Sequence, residues 1–204
     1  MSTEIPHRVV LASANPGKLA EFKQLLANWQ CQVLAQADFA TPAAAETGDS
    51  FVENALLKAH AAAHHCGIPA IADDSGLEVD ALDGAPGIYS ARYAGESASD
   101  ADNNRRLLRE LEGVAPAQRS ARYHCALVYL RHWQDPNPLI CQASWEGRIL
   151  ETACGDGGFG YDPLFYVAEL DCSAAQLTPA VKNSISHRGK AMQLLLATLQ
   201  HEFT

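Results

Sequence analysis

Apolar residues recur along the chain in short runs or at every second position, and most of these segments end near glycine or proline. Such segments are typical of buried or half-buried β-strands. The best-defined alternation covers residues 121–130, and a polar turn separates it from a second strand at 139–145. Further strands are predicted at residues 9–12, 32–35, 70–72, 77–82 and 164–167, and residues 147–152 would extend the sheet.

Four other segments repeat their apolar residues with the period of an α-helix. They follow Asn15, Ser50, Ser99 and Ser186, and Gly67 ends the second of them. We interpret Asn15, Ser50 and Ser99 as N-caps, because their side-chain oxygens can accept the free backbone N–H groups of a first helical turn. Strands and helices together indicate an α/β protein.

Length and composition are those of one globular domain, which we predict to cover residues 1–204 with a loose tail at 1–7. Of the 204 residues, 48% are hydrophobic and 19% are charged, as in an ordinary soluble protein. No run of about 18 apolar residues is present, and no basic start precedes an apolar segment, so neither a membrane span nor a secretory signal is predicted.

The six cysteines lie apart and form no C-x-x-C pair. This pattern favours reduced thiols and a cytoplasmic location. The net charge of −9 argues against nucleic acid and membrane surfaces as partners, which need a basic field. A small anionic ligand is compatible with it, because a few local cations and a metal ion can reverse the field inside one site.

The most unusual stretch is Asp73-Asp74-Ser75-Gly76, which follows the apolar run 70–72. We predict that the two carboxylates project into a loop on opposite sides, since side chains alternate along an extended chain. One would hold a divalent cation or a water, and the other would accept backbone N–H groups. Taken alone, the same residues are also ordinary turn chemistry.

Residues Ser13 to Lys18 connect a predicted strand to a helix. Free N–H groups and the positive end of the helix dipole make such a position suitable for an anion, and Lys18 adds a full charge. The phosphate-loop pattern G-x-x-x-x-G-K-[ST] is not met, because Ala12 and Leu19 occupy two of its required positions. A plain strand-to-helix turn remains the alternative.

Glu46 precedes the helix capped by Ser50, and Lys58 lies on that helix. Glu46 would approach Asp74 if both border the same site. Lys58 taken alone is typical of a solvated surface lysine. His60 and His64 are four residues apart, but without a third ligand in the pattern we interpret them as surface histidines.

A glycine-rich loop at 155–163 contains Phe159, Tyr161 and Asp162. Glycines permit close backbone approach, and an aromatic face can hold a planar ring. Asp162 could accept bonds from hydroxyls or ring N–H groups of a ligand. The dinucleotide pattern G-x-G-x-x-G is absent. The pattern does not decide whether Arg92 pairs with an anion or with a nearby carboxylate.

Six motifs then occur in the order found in the inosine/xanthosine triphosphate pyrophosphatase family, which the chain resembles from about residue 9 to 199. They are Ser-Ala-Asn-Pro-Gly-Lys (13–18), Glu-Thr-Gly (46–48), Ala-Asp-Asp-Ser-Gly-Leu (72–77), Gly-Ala-Pro-Gly-Ile-Tyr-Ser-Ala-Arg-Tyr (84–93), Gly-Gly-Phe-Gly-Tyr-Asp-Pro-Leu-Phe (157–165) and Ser-His-Arg-Gly-Lys-Ala (186–191).

The resemblance implies a Mg²⁺-dependent hydrolase that converts noncanonical purine nucleoside triphosphates to the monophosphate and pyrophosphate. Glu46 and Asp74 would carry the metal, and Asp74 would be the general base. The triphosphate would contact Lys58 and the loop residues Ser13, Ala14, Asn15, Pro16, Gly17 and Lys18. The substrate, mainly its base, would contact Ser75, Phe159, Gly160, Tyr161, Asp162, Lys182, His187 and Arg188.

The implied fold is an elongated mixed central β-sheet with flanking helices and two lobes around an active-site cleft, usually in a homodimer. Asp73 would support its loop. The donors near His187 and Arg188 would meet the 6-keto oxygen of hypoxanthine or xanthine. Two alternatives remain: a related pyrophosphatase for another modified nucleotide, and a nucleotide-binding module without catalysis.

Overall fold

A computed structural model of the protein describes residues 6–42 and 44–202. Most of the predicted N-terminal tail, residues 1–5, therefore lies outside the described residues. His7, at the end of that tail, is already tied to the fold, because its carbonyl accepts a hydrogen bond of 2.8 Å from the Gln32 amide.

Seven strands form one mixed sheet in the order β2-β1-β3-β4-β5-β6-β7. The strand β1 is parallel to both β2 and β3, whereas β6 is antiparallel to β5 and β7. The strands are β1 (Arg8–Leu11), β2 (Gln32–Ala35), β3 (Ala70–Val79), β4 (Ser120–Leu130), β5 (Leu139–Ile149), β6 (Phe165–Val167) and β7 (Cys172–Ser173).

The described residues contain five α-helices beside the sheet, and the four predicted after Asn15, Ser50, Ser99 and Ser186 begin where the sequence predicts. Asn15, Ser50 and Ser99 accept the backbone N–H three residues further on, as N-caps do. Gly67 ends the second helix in the left-handed conformation. The helices are α1 (Pro16–Leu25), α2 (Phe51–Cys66), α3 (Asp100–Glu110), α4 (Pro179–Ile185) and α5 (His187–Glu202). The predicted mixed α/β fold is thus confirmed.

Two local predictions are wrong. Asp73 and Asp74 do not project into a loop, because β3 continues unbroken through both of them to Val79. The segment 77–82 is a strand only as far as Val79 and then forms a 3-10 turn. Gly87–Arg92 forms a 3-10 helix. The short β7 has no signal in the sequence, since two residues show no periodicity.

The chain divides into two compact units, which we describe separately. Unit 1 contains residues 1–74, 125–143 and 188–204, and unit 2 contains residues 75–124 and 144–187. The core of unit 1 joins α1, β1, β4 and α5 through residues such as Phe22, Leu11, Leu127 and Met192. The core of unit 2 is more aromatic and is built from residues that include Leu77, Leu107, Tyr123, Trp145 and Phe165.

Two further findings bear on the chemistry that is available. All six cysteines are free thiols. Within residues 6–42 and 44–202, none of the helices combines the length and the apolar character that a membrane span requires.

Candidate active site

In unit 1, Asp73 is completely buried at the centre of a charged cluster. Its carboxylate pairs with the Lys18 ammonium and accepts bonds from Arg188 Nε at 3.1 Å and from the Cys125 thiol at 3.0 Å. Burial alone would raise the pKa of Asp73, but the positive charges of Arg188 and Lys18 outweigh it and hold that pKa well below its usual range. Asp73 is therefore an ionised anchor that supports this part of the site.

Asp74, the next residue of β3, has different partners. Its Oδ1 lies 2.5 Å from Lys58 Nζ, and Glu46 Oε1 lies 3.0 Å from the same nitrogen. Burial raises the pKa of Asp74 even though Lys58 opposes this. The pKa of Lys58 is also raised, because Asp74 and Glu46 outweigh the effect of its burial. Lys58 is thus a largely but not fully buried, charged partner of two carboxylates and not a solvated surface lysine.

The carboxylates of Glu46 and Asp74 suit a hard cation. Both reach one ammonium group, so their oxygens already converge on a single positive charge, and they carry one negative charge more than Lys58 offsets. Mg²⁺ is commonly held by one or two carboxylates together with water and substrate phosphates. The described residues contain no group of three or more His, Cys, Asp or Glu side chains that would form a complete protein cage. The donor set therefore fits Mg²⁺ brought together with a phosphate ligand.

The loop from Ser13 to Lys18 follows the carboxyl end of β1. Ser13 Oγ accepts from the Asn15 amide, and Asn15 Oδ1 accepts from the Lys18 amide, each at 3.1 Å. Pro16 and Gly17 are the first residues of α1, and Ala14 is exposed. In the parallel pair of β1 and β3, Leu11 at the end of β1 lies beside Ile71. The loop after β1 therefore starts next to the middle of β3, where Lys18 pairs with Asp73.

Arg188 has an environment that the sequence did not predict. Its guanidinium is almost fully buried in unit 1 and binds Glu21 Oε2 at 2.5 Å as well as Asp73. These carboxylates raise the pKa of Arg188 against the effect of burial. Sequence reasoning missed Glu21 and Cys125. Glu21 lies three residues after Lys18 on α1, so a helical projection could have placed it beside the site.

In unit 2, Asp162 and Lys182 form a buried pair, with Lys182 Nζ 2.5 Å from Asp162 Oδ2. The Asp162 carboxylate also accepts from the Phe159 amide at 2.9 Å, and the Lys182 ammonium lies 4.7 Å from the centre of the Phe159 ring. Gly158 has φ +70°, and a Cβ there would come within 2.1 Å of Asp162 Oδ2. The loop can fold over this carboxylate only because position 158 is glycine.

Aromatic residues lie beside that pair within unit 2. The His187 ring stacks on Tyr123 with 4.7 Å between ring centres, and Trp145 lies parallel at 6.5 Å. The Tyr123 hydroxyl donates to Asp162 Oδ1 at 3.4 Å. A planar ligand ring would find flat partners here. Sequence reasoning did not include Tyr123 in the site, because it lies on an ordinary alternating strand.

The remaining predicted residues of unit 2 are distributed as follows. Tyr161 is buried in the core, and its hydroxyl donates to the Ser90 carbonyl at 2.8 Å, which gives it a packing role. The Gly160 carbonyl accepts a bond of 2.8 Å from Asn104, and its amide donates to Asp100. Ser75 is a half-buried residue of β3.

Comparison with known proteins extends over nearly the whole chain. The family model described as Ham1 family matches residues 9–198. A dITP/XTP pyrophosphatase of Vibrio vulnificus is 56% identical over 195 residues, which cover 96% of this chain and 98% of that protein. A protein of the same name from Vibrio cholerae is 53% identical over 197 residues, with 97% and 98% covered.

Solved structures agree with these sequence relatives. A HAM1 protein from Coxiella burnetii superposes with a TM-score of 0.86 at 46% identity, covering 95% of this chain and 98% of its own. The Ham1 protein of Staphylococcus aureus gives 0.83 at 42% identity, with 96% and 99% covered. Because the family model spans every residue of both charged sites, and because sequence and fold agree, the chain belongs to the Ham1 family.

Proposed function

We propose that the protein hydrolyses noncanonical purine nucleoside triphosphates, namely ITP, dITP and XTP, to the monophosphate and pyrophosphate. Water would attack the α-phosphorus, so that deaminated purines are removed from the nucleotide pool. The single observation that carries this proposal is the Glu46–Lys58–Asp74 cluster, a site with surplus negative charge in a chain whose relatives are named dITP/XTP pyrophosphatases.

In unit 1, Asp74 would act as the general base on the attacking water. Lys18, Lys58 and the Gly17 amide at the start of α1 would bind the triphosphate. Glu46 and Asp74 would hold Mg²⁺, which when bound would offset phosphate charge and stabilise the leaving pyrophosphate.

In unit 2, Phe159, Asp162, Lys182 and His187 would contact the purine base. A donor that meets the 6-keto oxygen of hypoxanthine or xanthine would be left unpaired by the amino group of adenine, at a cost of about 1–3 kcal/mol. For Arg188, the burial of its guanidinium against Asp73 and Glu21 supports a contact through its backbone rather than its side chain.

Product analysis in H₂¹⁸O tests this proposal. The protein is incubated with dITP and Mg²⁺, the products are separated, and the mass of each product is measured by mass spectrometry. We expect dIMP that carries one ¹⁸O atom, together with unlabelled pyrophosphate. Diphosphate with labelled orthophosphate would mean attack on the γ-phosphorus and would contradict the assignment.

The two alternative functions give different results in the same assay. Faster turnover of another modified nucleotide, measured under identical conditions, would favour a related pyrophosphatase. Binding of dITP without any turnover would favour a nucleotide-binding module. In a metal series, loss of turnover in EDTA and recovery with Mg²⁺ would support the proposed metal.

Two further parts of the proposal concern organisation. We expect all 204 residues to act as one nucleotide-hydrolysing domain, and the protein to be a homodimer, as the resemblance implies. Light scattering coupled to size-exclusion chromatography measures the mass directly. A value near the 21.9 kDa of one chain would contradict the homodimer.

A further inference from the structure

Asn54 is a completely buried polar residue on α2 that none of the proposed catalytic roles uses. Its Oδ1 accepts a hydrogen bond of 2.8 Å from the Gly48 amide. Asn54 lies one helical turn before Lys58 on the same helix, and residues four apart share a face. The buried side chain of Asn54 therefore binds the segment that leads from Glu46 into α2.

That segment has no regular secondary structure of its own, since residues 44–49 belong to neither helix nor strand. Side chains of α2 hold it instead. Asn54 binds the Gly48 amide, and Glu53 Oε2 accepts from the Asp49 amide at 2.7 Å. Glu46 is two residues from Gly48, so the chain between them spans at most about 7 Å. Fixing Gly48 restricts where the Glu46 carboxylate can lie.

At Gly48 the backbone packs so closely against α2 that there is no room for a side chain. A Cβ at this position would come within 2.6 Å of Glu53 Cβ and 3.0 Å of Asn54 Oδ1. The backbone at Gly48 therefore lies directly against α2. The hydrogen bond from the Gly48 amide to Asn54 fixes the position of Gly48 along the helix. Lys58 adds a further contact from α2 to this segment, to Glu46 Oε1 at 3.0 Å.

The Nδ2 atom of Asn54 indicates that an asparagine is not the most stabilising residue at this position. This atom is buried and has no hydrogen-bond partner among residues 6–42 and 44–202. A buried donor without a partner costs about 1–3 kcal/mol. An apolar residue would avoid that cost, but it could not hold the Gly48 amide.

We propose that Asn54 is a positioning residue for Glu46. By fixing Gly48, it keeps the Glu46 carboxylate beside Lys58 and Asp74, where the two carboxylates together would bind Mg²⁺. The metal part of this inference rests on the proposed function. The structural part, control of the 44–49 segment, does not.

Unit 2 contains a matched control. Asn103 is a buried asparagine on α3, and its Oδ1 likewise accepts a loop amide, that of Ala94, at 2.7 Å. Its Nδ2 donates to the Ala91 carbonyl at 3.1 Å. Asn103→Ala therefore removes the same chemistry from a segment that holds no predicted metal ligand.

The test compares Asn54→Ala with Asn103→Ala in the full chain by two readouts. Amide hydrogen exchange of Gly48, followed by NMR, reports the positioning contact. Electron paramagnetic resonance of free Mn²⁺ during a titration with Mn²⁺ alone reports metal affinity. We expect faster Gly48 exchange and about 10-fold weaker Mn²⁺ binding in Asn54→Ala, as outer-shell partners of metal ligands typically give, and neither change in Asn103→Ala.

Asn54→Asp keeps an acceptor at the same position, so Gly48 should stay protected in that variant. If Asn54→Ala does not fold, Gly48→Ala disturbs the same contact from the segment's side and should weaken Mn²⁺ binding. Wild-type Mn²⁺ affinity in Asn54→Ala, or equal losses in the two alanine variants, would overturn the inference and leave the proposed function intact. Absence of Mn²⁺ binding and of Mg²⁺-dependent turnover in the wild-type protein would instead refute the proposed function.

Discussion

A largely buried carboxylate–lysine pair lies in each unit, Asp74–Lys58 in unit 1 and Asp162–Lys182 in unit 2, and in both pairs the carboxylate oxygen is 2.5 Å from the ammonium nitrogen. Their surroundings differ. Lys58 is shared with a second carboxylate, that of Glu46. Asp162 instead accepts from the Phe159 amide, and Lys182 lies against the Phe159 ring.

This difference shows that a buried ion pair takes its chemical meaning from what else surrounds it. Around Lys58 the negative charge exceeds the positive, so the cluster can accept a further cation and the phosphates that accompany it. The Asp162–Lys182 pair is neutral as a whole, and its bonds shape a glycine-rich loop beside aromatic rings. Such a pair suits an uncharged planar ring rather than a metal.

The largest expected effect separates the two carboxylates by their role in catalysis. Asp74→Asn removes the proposed base and should lower kcat for dITP about 10³-fold, within the usual range for general-base catalysis. Asp162→Asn, in the other pair, should mainly raise KM. Steady-state assays of pyrophosphate release measure both. Equal losses of kcat in the two variants would mean that the contrast between the pairs is wrong.

The next effect concerns stability and its response to metal. Lys182→Met leaves the Asp162 carboxylate buried without its cation, and we expect a loss of about 3 kcal/mol in the free energy of unfolding. Lys58→Met should also destabilise, but Mg²⁺ should recover part of that loss, because the ion can replace the ammonium between Glu46 and Asp74. Urea unfolding with and without Mg²⁺ distinguishes the variants. If Mg²⁺ also restored the stability of Lys182→Met, the cation would bind in unit 2, and this would contradict the assignment of the metal to unit 1.

A smaller effect is expected on substrate choice. His187→Ala removes a ring that stacks on Tyr123 and that we propose contacts the purine base. Its loss should reduce the preference for ITP over ATP about 10-fold, the size expected when one specific polar contact to the base is lost. His124→Ala is the matched control, since that ring binds Ser144 within the same unit. The ratio of kcat/KM for the two nucleotides is measured. An unchanged ratio in His187→Ala would remove His187 from base recognition.

The smallest effect tests ordinary structural acids outside both pairs. Asp135 accepts from the Arg131 and Asn137 amides and from the Arg131 guanidinium, and although its burial opposes them, these bonds lower the pKa of Asp135. A lowered pKa means that its stabilisation is present above the unfolded pKa of about 3.9 and is lost as pH falls through the folded value. Asp135→Asn should therefore cost about 1 kcal/mol at pH 7 and progressively less below about pH 4.

Asp80 provides the contrast for that measurement, because it also pairs with an arginine, Arg122, but is largely exposed. Asp80→Asn should change the unfolding free energy less than Asp135→Asn at every pH, since water screens exposed pairs. Urea unfolding between pH 3 and pH 7 follows both variants. A larger effect at Asp80 would mean that burial does not decide how much these two carboxylates stabilise the fold.

Local patterns in the sequence were sufficient for most of the secondary structure and for part of the site. The caps Asn15, Ser50 and Ser99 are confirmed, because a cap depends on residues within one helical turn. The ordered motifs identified the family without structural help. The resemblance predicted Glu46 and Asp74 as joint metal ligands and Lys58 as a phosphate contact, and the structure brings the three side chains together.

What the sequence determined by itself was therefore everything that neighbouring residues decide: periodicity, helix starts and the order of the motifs. Only the tertiary structure decided that Asp73 and Asp74 continue a buried strand, although their sequence is typical of a turn. A carboxylate can be buried there because Lys18 and Arg188 arrive from segments 55 and 115 residues away to offset its charge. Contacts between such distant segments leave no periodic signal, and for the same reason the bond between Glu21 and Arg188 became recognisable only in the folded chain.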